Sequence, residues 1–157
     1  MFHVKQFEGS PLLREITENQ RRLQFINELQ LPKPSRTRVF TISNQKGGVG
    51  KTTSTVNLAV ALASKGLNVV VIDLDPQGNA STALNIPHQS GTRGIYNVLT
   101  EDAPLASVLV KSTESENLWV APATLDLAGA EIEIITGLGQ ESWNGLLKKA
   151  IDQHCAT

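Results

Sequence analysis

The sequence is poor in metal-binding and redox side chains: its 157 residues include one cysteine, Cys155, and three histidines. A single cysteine excludes an internal disulfide, and with three scattered histidines it cannot build a Cys/His zinc cluster. No apolar run approaches the roughly 20 residues that a membrane-spanning helix needs, and the amino terminus lacks the apolar stretch of a secretory signal. We therefore expect a cytoplasmic protein with no membrane partner.

Charge is also scarce. Charged residues make up 18% of the chain and hydrophobic residues 40%, which is typical of a folded globular protein of about one domain. The formal net charge is -1, but the first 38 residues carry seven Lys or Arg against four Asp or Glu. Two interpretations of this basic arm stay open: an acidic partner such as nucleic acid, or a solvated helix face, which is the more common case.

A helix is predicted near the amino terminus. Ser10 suits an N-cap, Pro11 suits the first helical position, and apolar residues then recur at helical spacing. The pattern predicts an amphipathic helix over residues 11–31, which Pro32 and Pro34 end. Its apolar stripe needs a partner, and the main domain, a second copy of the chain and another protein are all open.

The pattern changes after this helix, so we expect residues 1–36 to be a helical extension with a basic linker and residues 37–157 to be the main domain. Residues 38–43 (RVFTIS) predict a strand, residues 52–64 a helix and residues 68–73 (NVVVID) a second strand. Nearly continuous apolar strands separated by a helix are typical of a right-handed βαβ unit in a buried parallel sheet. The predicted class is α/β, with helices covering the sheet.

Four further elements are predicted downstream. Residues 94–102, 126–134 and 141–154 have helical patterns, and residues 118–122 (LWVAP) predict a third strand.

A glycine-rich loop, NQKGGVGKTT at residues 44–53, lies between the first predicted strand and helix. Its glycines allow positive φ and remove side chains, so that successive backbone N–H groups can surround phosphate oxygens at the start of the helix. Lys51 supplies a cation to the β and γ phosphates, and the Thr52 hydroxyl suits Mg²⁺. Thr53 adds a hydrogen bond to the α phosphate.

Two carboxylates, Asp73 and Asp75, follow the second predicted strand. Ligands of open α/β sheets bind at the carboxyl ends of the strands, which places both residues beside the glycine-rich loop. Carboxylates there can orient a Mg²⁺-bound water or an attacking water, because phosphoryl transfer depends on positioning and charge neutralisation.

The loop departs from the general GxxxxGK[ST] pattern, since Gln45 replaces the first glycine and Lys46 follows it. QKGGVGKTT resembles the deviant Walker A loop of the ParA/MinD family of ATPases, and DLDPQGNAS resembles the switch I segment of its ParA (Soj) branch. The resemblance implies that Lys46 reaches the partner's phosphates in an ATP-sandwich dimer and that Gly47 lies at the close dimer contact. It also implies that Asp75 helps to activate water and that Asp73 supports the metal shell.

The resemblance runs from about residue 38 to residue 149 and implies a P-loop NTPase fold, a three-layer parallel sheet that is incomplete here. The implied activity is Mg²⁺-dependent ATP hydrolysis that drives homodimerisation. In the complete protein it also implies nonspecific DNA binding at the nucleoid and a ParB-type partner, for chromosome or plasmid segregation. The implied nucleotide-binding residues are Lys46, Gly47, Gly48, Val49, Gly50, Lys51, Thr52 and Thr53; the catalytic residues are Lys46, Lys51 and Asp75; the metal ligands are Thr52, Asp73 and Asp75.

No counterpart of the family's Pro-Pro switch II segment follows in the sequence, so the chain resembles the N-terminal half of such an ATPase. The alternative is a noncatalytic nucleotide-binding or interaction module, truncated before switch II.

Overall fold

The computed structural model describes residues 10–138 and 145–156 of the chain. It divides into two compact units, residues 1–32 and residues 33–157.

The first unit contains one helix, α1 (Pro11–Glu28). The Ser10 hydroxyl oxygen accepts a hydrogen bond from the Leu13 N–H at 3.2 Å, and Pro11 is the first helical residue, as the sequence predicts. The helix ends three residues before the predicted boundary, because Leu29 adopts an extended conformation. None of the residues of α1 is buried, and the Leu12 side chain is 64% exposed. The partner of its apolar stripe therefore stays a prediction.

A three-stranded sheet forms the centre of the second unit. Its strands are β1 (Val69–Ile72), β2 (Val110–Lys111) and β3 (Leu118–Ala121), in the spatial order β1-β3-β2. β1 and β3 run parallel, with Val69 opposite Leu118, whereas β2 pairs with β3 in the antiparallel direction. The predicted strands at 68–73 and 118–122 are confirmed, but the sheet is mixed rather than wholly parallel.

Helices cover both faces of this sheet. The helices predicted at 52–64, 94–102 and 126–134 are confirmed. The helix predicted at 141–154 is confirmed in part, because residues 141–144 lie outside the described residues. The helices are α2 (Lys51–Ser64), α3 (Asn79–Ala83), α4 (Ile95–Thr100), α5 (Leu127–Leu138) and α6 (Leu146–Cys155), with a 3-10 turn at Leu105–Ser107.

Two buried clusters give the unit its three layers. Leu118 and Val120 of β3 pack with Ala59 and Ala63 of α2. Ala121, the next residue of β3, belongs to the second cluster, which includes residues of α4, α5 and α6. Successive residues of a strand point to opposite faces, so the two clusters lie on opposite sides of the sheet. The α/β class predicted from the sequence is confirmed.

The strand predicted at residues 38–43 is wrong. These residues have no regular secondary structure, and both Val39 and Phe40 are 65% exposed. A strand is stabilised by backbone hydrogen bonds to a neighbour and by burial of its side chains, and within the described residues this segment has neither. The predicted βαβ unit is therefore present only as its helix and second strand, α2 and β1.

The Asp126 carboxylate joins the loop before α4 to the start of α5. It accepts hydrogen bonds from the Gly91 N–H at 3.3 Å, the Ser90 hydroxyl at 3.1 Å and the Thr124 hydroxyl at 3.2 Å. The Gly91 N–H, and after it the Ser90 hydroxyl, favour the ionised form and lower the pKa of Asp126 below its ordinary value.

We predict that Asp126→Asn lowers the free energy of unfolding at pH 7. A pKa that is lower in the folded chain than in the unfolded chain stabilises the fold above the unfolded value, and this contribution disappears as the pH falls through the folded value. The difference between wild type and Asp126→Asn should therefore shrink below about pH 4. Urea unfolding between pH 3 and pH 7 measures it. A difference that stays constant over this range would contradict the assignment.

Candidate nucleotide-binding site

The glycine-rich loop leads directly into α2 and is held by hydrogen bonds within itself. The Asn44 side-chain oxygen accepts from the Lys46 N–H at 2.9 Å, which starts the loop with an Asx turn. The Lys51 ammonium crosses back and donates to the Lys46 carbonyl at 3.1 Å. An ammonium has three donors, so two remain for an anion.

Two of the loop glycines are required by their backbone conformation. Gly48 has φ +69° and Gly50 has φ +84°, values in the left-handed region that other residues adopt at a cost. A methyl group added at either glycine, or at Gly47, would meet nothing within 4 Å. The space over the loop is therefore open, and no contact within the described chain demands a glycine at position 47.

The first turn of α2 presents unused donors to this open space. The first hydrogen bond into the helix runs from the Ser54 N–H to the Gly50 carbonyl at 2.8 Å. The N–H groups of Lys51, Thr52 and Thr53 precede it and have no partner inside the helix. Together with the positive end of the helix dipole, they form an environment suited to phosphate.

The loop and the two aspartates lie at the same end of the sheet. At the opposite end, the Ala63 carbonyl near the end of α2 accepts from the Asn117 side chain at 3.5 Å, and the Asn117 carbonyl accepts from the Val69 N–H at 2.9 Å. The carboxyl end of α2 thus lies beside the starts of β1 and β3. Because α2 packs along these strands, its amino end lies toward their carboxyl ends, where Asp73 and Asp75 follow β1.

Asp73 is buried, with 5% of its surface exposed. One carboxylate oxygen accepts from the Asp75 N–H at 3.1 Å, and the other accepts from the Ser81 N–H at 2.9 Å and the Ser81 hydroxyl at 2.8 Å. The Ser81 oxygen also accepts from the Ala123 N–H at 3.4 Å. Asp73 therefore connects the ends of β1 and β3 to α3, and a metal ion bound directly to it would compete with these hydrogen bonds.

Asp75 is exposed and belongs to a tight turn. Its carbonyl accepts from the Gly78 N–H at 2.8 Å, and its carboxylate oxygens accept from the Gln77 N–H at 3.0 Å and the Asn79 side chain at 3.2 Å. Its carboxylate is the one of the two that solvent reaches, which suits a group that orients water.

The residues that hold the site together were not predicted from the sequence. Asn44 has a local signal, because asparagine before a tight loop often caps an Asx turn. Ser81 has none, since its partner Asp73 is eight residues away and the contact depends on how α3 packs.

The site suits Mg²⁺ held partly by its substrate. Among residues 10–138 and 145–156, no group of three or more His, Cys, Asp or Glu side chains is gathered to hold a metal ion. Mg²⁺ commonly binds through one or two protein oxygens together with waters and substrate phosphates. The Thr52 and Thr53 hydroxyls make no hydrogen bond within the described part of the chain, so the Thr52 oxygen has the capacity that a metal ligand needs.

A family model described as an AAA domain matches residues 37–154, well over half of the chain. The chain belongs to this family. Among its relatives, the sporulation initiation inhibitor protein Soj of Bacillus subtilis is 44% identical over 115 residues, which are 73% of this chain and 44% of Soj. The chromosome partitioning protein ParA of Caulobacter vibrioides is 52% identical over 97 residues, which are 62% of this chain and 36% of that protein. The predicted resemblance to ParA/Soj-type partitioning ATPases is confirmed.

A solved structure supports the P-loop NTPase fold. The cobyrinic acid a,c-diamide synthase from Mycobacterium smegmatis, with bound ATP analog and magnesium, matches with a TM-score of 0.67 and 34% identity. The match covers 75% of this chain and 46% of the synthase. The chain thus spans less than half the length of these relatives. In the described part of the chain, no helix is long and apolar enough to cross a membrane.

We predict that Ser81→Ala destabilises the second unit by about 1–3 kcal/mol, because the buried Asp73 carboxylate loses one of its donors. Urea unfolding measures the change. Ser64→Ala is the matched control, since the Ser64 hydroxyl donates to the Ala61 carbonyl on an exposed helix end. An equal and small effect of both substitutions would show that the Asp73 contact contributes little.

Proposed function

We propose that this chain binds ATP with Mg²⁺ through residues 44–53, as the nucleotide-binding part of a ParA/Soj-type partitioning ATPase. The observation that carries the proposal is that unused donors lie together: the first N–H groups of α2 and the free positions of the Lys51 ammonium adjoin a loop whose glycines border open space.

Each loop residue receives a role in this proposal. Lys51 contacts the β and γ phosphates, and the backbone N–H groups of the loop from Gly47 to Gly50, with Val49 among them, surround the phosphate oxygens. Thr53 donates to the α phosphate. Mg²⁺, when bound, would neutralise charge on the β and γ phosphates, with the Thr52 hydroxyl as a ligand and Asp73 behind it. Asp75 orients the attacking water and supports the metal through it.

The proposal also includes the assembly of two copies of the chain around ATP. Lys46 extends from the loop toward the nucleotide of a second copy, with Gly47 at the contact, so that ATP favours a homodimer. DNA binding without sequence preference, a ParB-type partner and a nucleoid location in the cytoplasm are proposed for the complete protein. Its role is chromosome or plasmid segregation.

We predict that Lys51→Ala weakens the binding of a fluorescent ATP analogue in the presence of Mg²⁺ at least about tenfold, since charge-assisted hydrogen bonds to phosphate are lost. Fluorescence anisotropy measures the dissociation constant. At chain concentrations too low for the proposed homodimer, Lys46→Ala should leave the constant nearly unchanged, because within one copy the contact of Lys46 with Lys51 runs through the backbone carbonyl. Lys33→Ala, which removes the same charge outside the loop, is the control. Equal affinities for Lys51→Ala and wild type would overturn the proposed binding site.

Hydrolysis is tested separately. We predict that Asp75→Ala lowers phosphate release by about 100-fold or more, the usual size of a lost proton-transfer or water-orienting group, while the affinity for the ATP analogue without Mg²⁺ stays the same. Colorimetric detection of released phosphate, with Glu116→Ala as an exposed carboxylate control, measures the rate.

The alternative is a nucleotide-binding module without turnover of its own, and one observation favours it. Residues 38–43, which lead into the loop, form no strand with the described sheet, so within the described residues α2 is the element that joins the loop to the sheet. Phosphate release that is equally low in wild type, Lys51→Ala and Asp75→Ala, with nucleotide binding intact in wild type, would support this module and exclude the ATPase for this chain.

A further inference from the structure

A half-buried histidine, His88, packs on the turn that carries Asp75. A methyl group built at Gly78 would clash with His88 Cδ2 and lie 2.9 Å from Nε2, so the imidazole ring lies directly over the Gly78 backbone. Gly78 also has φ +62°. Both the ring and the backbone conformation therefore require glycine at this position.

Both nitrogens of the His88 ring have polar partners. Nδ1 lies 3.0 Å from the Ile86 carbonyl, which can only accept, so Nδ1 carries a hydrogen and donates. Nε2 lies 3.3 Å from the Thr82 hydroxyl, which also lies 3.1 Å from the Gly78 carbonyl, so its single hydrogen is donated to one of these two acceptors at a time. The Thr82 oxygen thus connects the ring to Gly78.

Gly78 in turn fixes Asp75. The Gly78 N–H donates to the Asp75 carbonyl at 2.8 Å, which closes the turn, and the Gln77 N–H inside the turn donates to the Asp75 carboxylate at 3.0 Å. Contacts therefore run without interruption from the His88 ring through Gly78 to the carboxylate. Asp75 is exposed, and its carboxylate accepts from the Gln77 N–H and from the Asn79 side chain, so its orientation depends on this turn and the residue that follows it.

We propose that His88 is a positioning residue that holds the Asp75 turn in place. The function of the positioned carboxylate, to orient water and support Mg²⁺, rests on the proposed function above, whereas the contact between His88 and the turn does not. Ring bulk over Gly78 and the hydrogen bonds of the ring nitrogens are separable contributions. His88→Phe keeps the ring and removes the nitrogens, His88→Gln keeps a polar group near Nε2, and His88→Ala removes both.

The first experiment measures the turn itself, by NMR amide hydrogen exchange on the uniformly labelled chain without nucleotide. His88→Ala should speed exchange about tenfold or more at Gln77 and Gly78, because the hydrogen bonds that order the turn open more often. The Asp73 amide, which donates to the Ala121 carbonyl, should not change. His88→Gln should restore part of the protection and His88→Phe less. Unchanged exchange at Gln77 and Gly78 in His88→Ala would overturn the proposal.

The second experiment asks what the turn does for the nucleotide site. The affinity for the fluorescent ATP analogue is measured with and without Mg²⁺. His88→Ala should reduce the gain in affinity that Mg²⁺ gives, as Asp75→Ala does, and leave the Mg²⁺-free affinity unchanged. Gln89→Ala, an exposed neighbour in the same loop, is the control. A full Mg²⁺ gain in His88→Ala, with that gain lost in Asp75→Ala, would overturn the positioning role.

The two experiments separate the two proposals. If wild type binds no nucleotide, the proposed function fails, and the exchange measurement still decides whether His88 holds the turn. If wild type binds with a gain from Mg²⁺ and the turn is insensitive to His88, the function stands and the inference about His88 fails.

Discussion

The fold of the second unit depends on the hydrogen bonds that one buried carboxylate accepts. Asp73 leaves β1 at the point where the sheet ends, and a charge with 5% exposure is tolerated only when its oxygens are hydrogen-bonded. Ser81 supplies two donors and also accepts from Ala123, so a single serine connects α3, β1 and the residues after β3. The carboxylate therefore fixes the path of the chain around it, including the turn that begins at Asp75.

The site combines this fixed framework with two exposed segments. The glycine-rich loop is ordered by its own hydrogen bonds, from Asn44 at its start to Lys51 at its end, and the Asp75 turn is ordered from behind by Gly78 and His88. The sheet places both segments at one end, where Lys46 and Asp75 are exposed to solvent. Exposed groups on a rigid support are what a site for a charged, hydrated ligand requires.

Local signals predicted much of the fold. Ser10 caps its helix, and β1 and β3 form where apolar runs predict them. The failures concern partners that are distant in sequence. The apolar run at 38–43 indicates that these side chains can be buried, but a strand also needs a neighbouring strand for its backbone hydrogen bonds. Strand β2 has only two residues, too few to show an alternating pattern of apolar and polar side chains. The roles of Ser81 and His88 arise from packing that the spacing of residues in the sequence does not indicate.

Phosphate binding and hydrolysis differ in how far they depend on contacts between residues that are distant in sequence. Phosphate binding by the loop needs the positive φ of Gly48 and Gly50 and the first turn of α2, all of which are local and present although residues 38–43 are unpaired. Hydrolysis needs more, because the attacking water must be held in line with the γ phosphate, and small displacements of a catalytic group are costly. Among the described elements, α2 and the sheet join the loop to the turn at Asp75. Of the two proposed properties, nucleotide binding therefore needs fewer of these contacts, and turnover depends on every connection between the loop and the turn at Asp75.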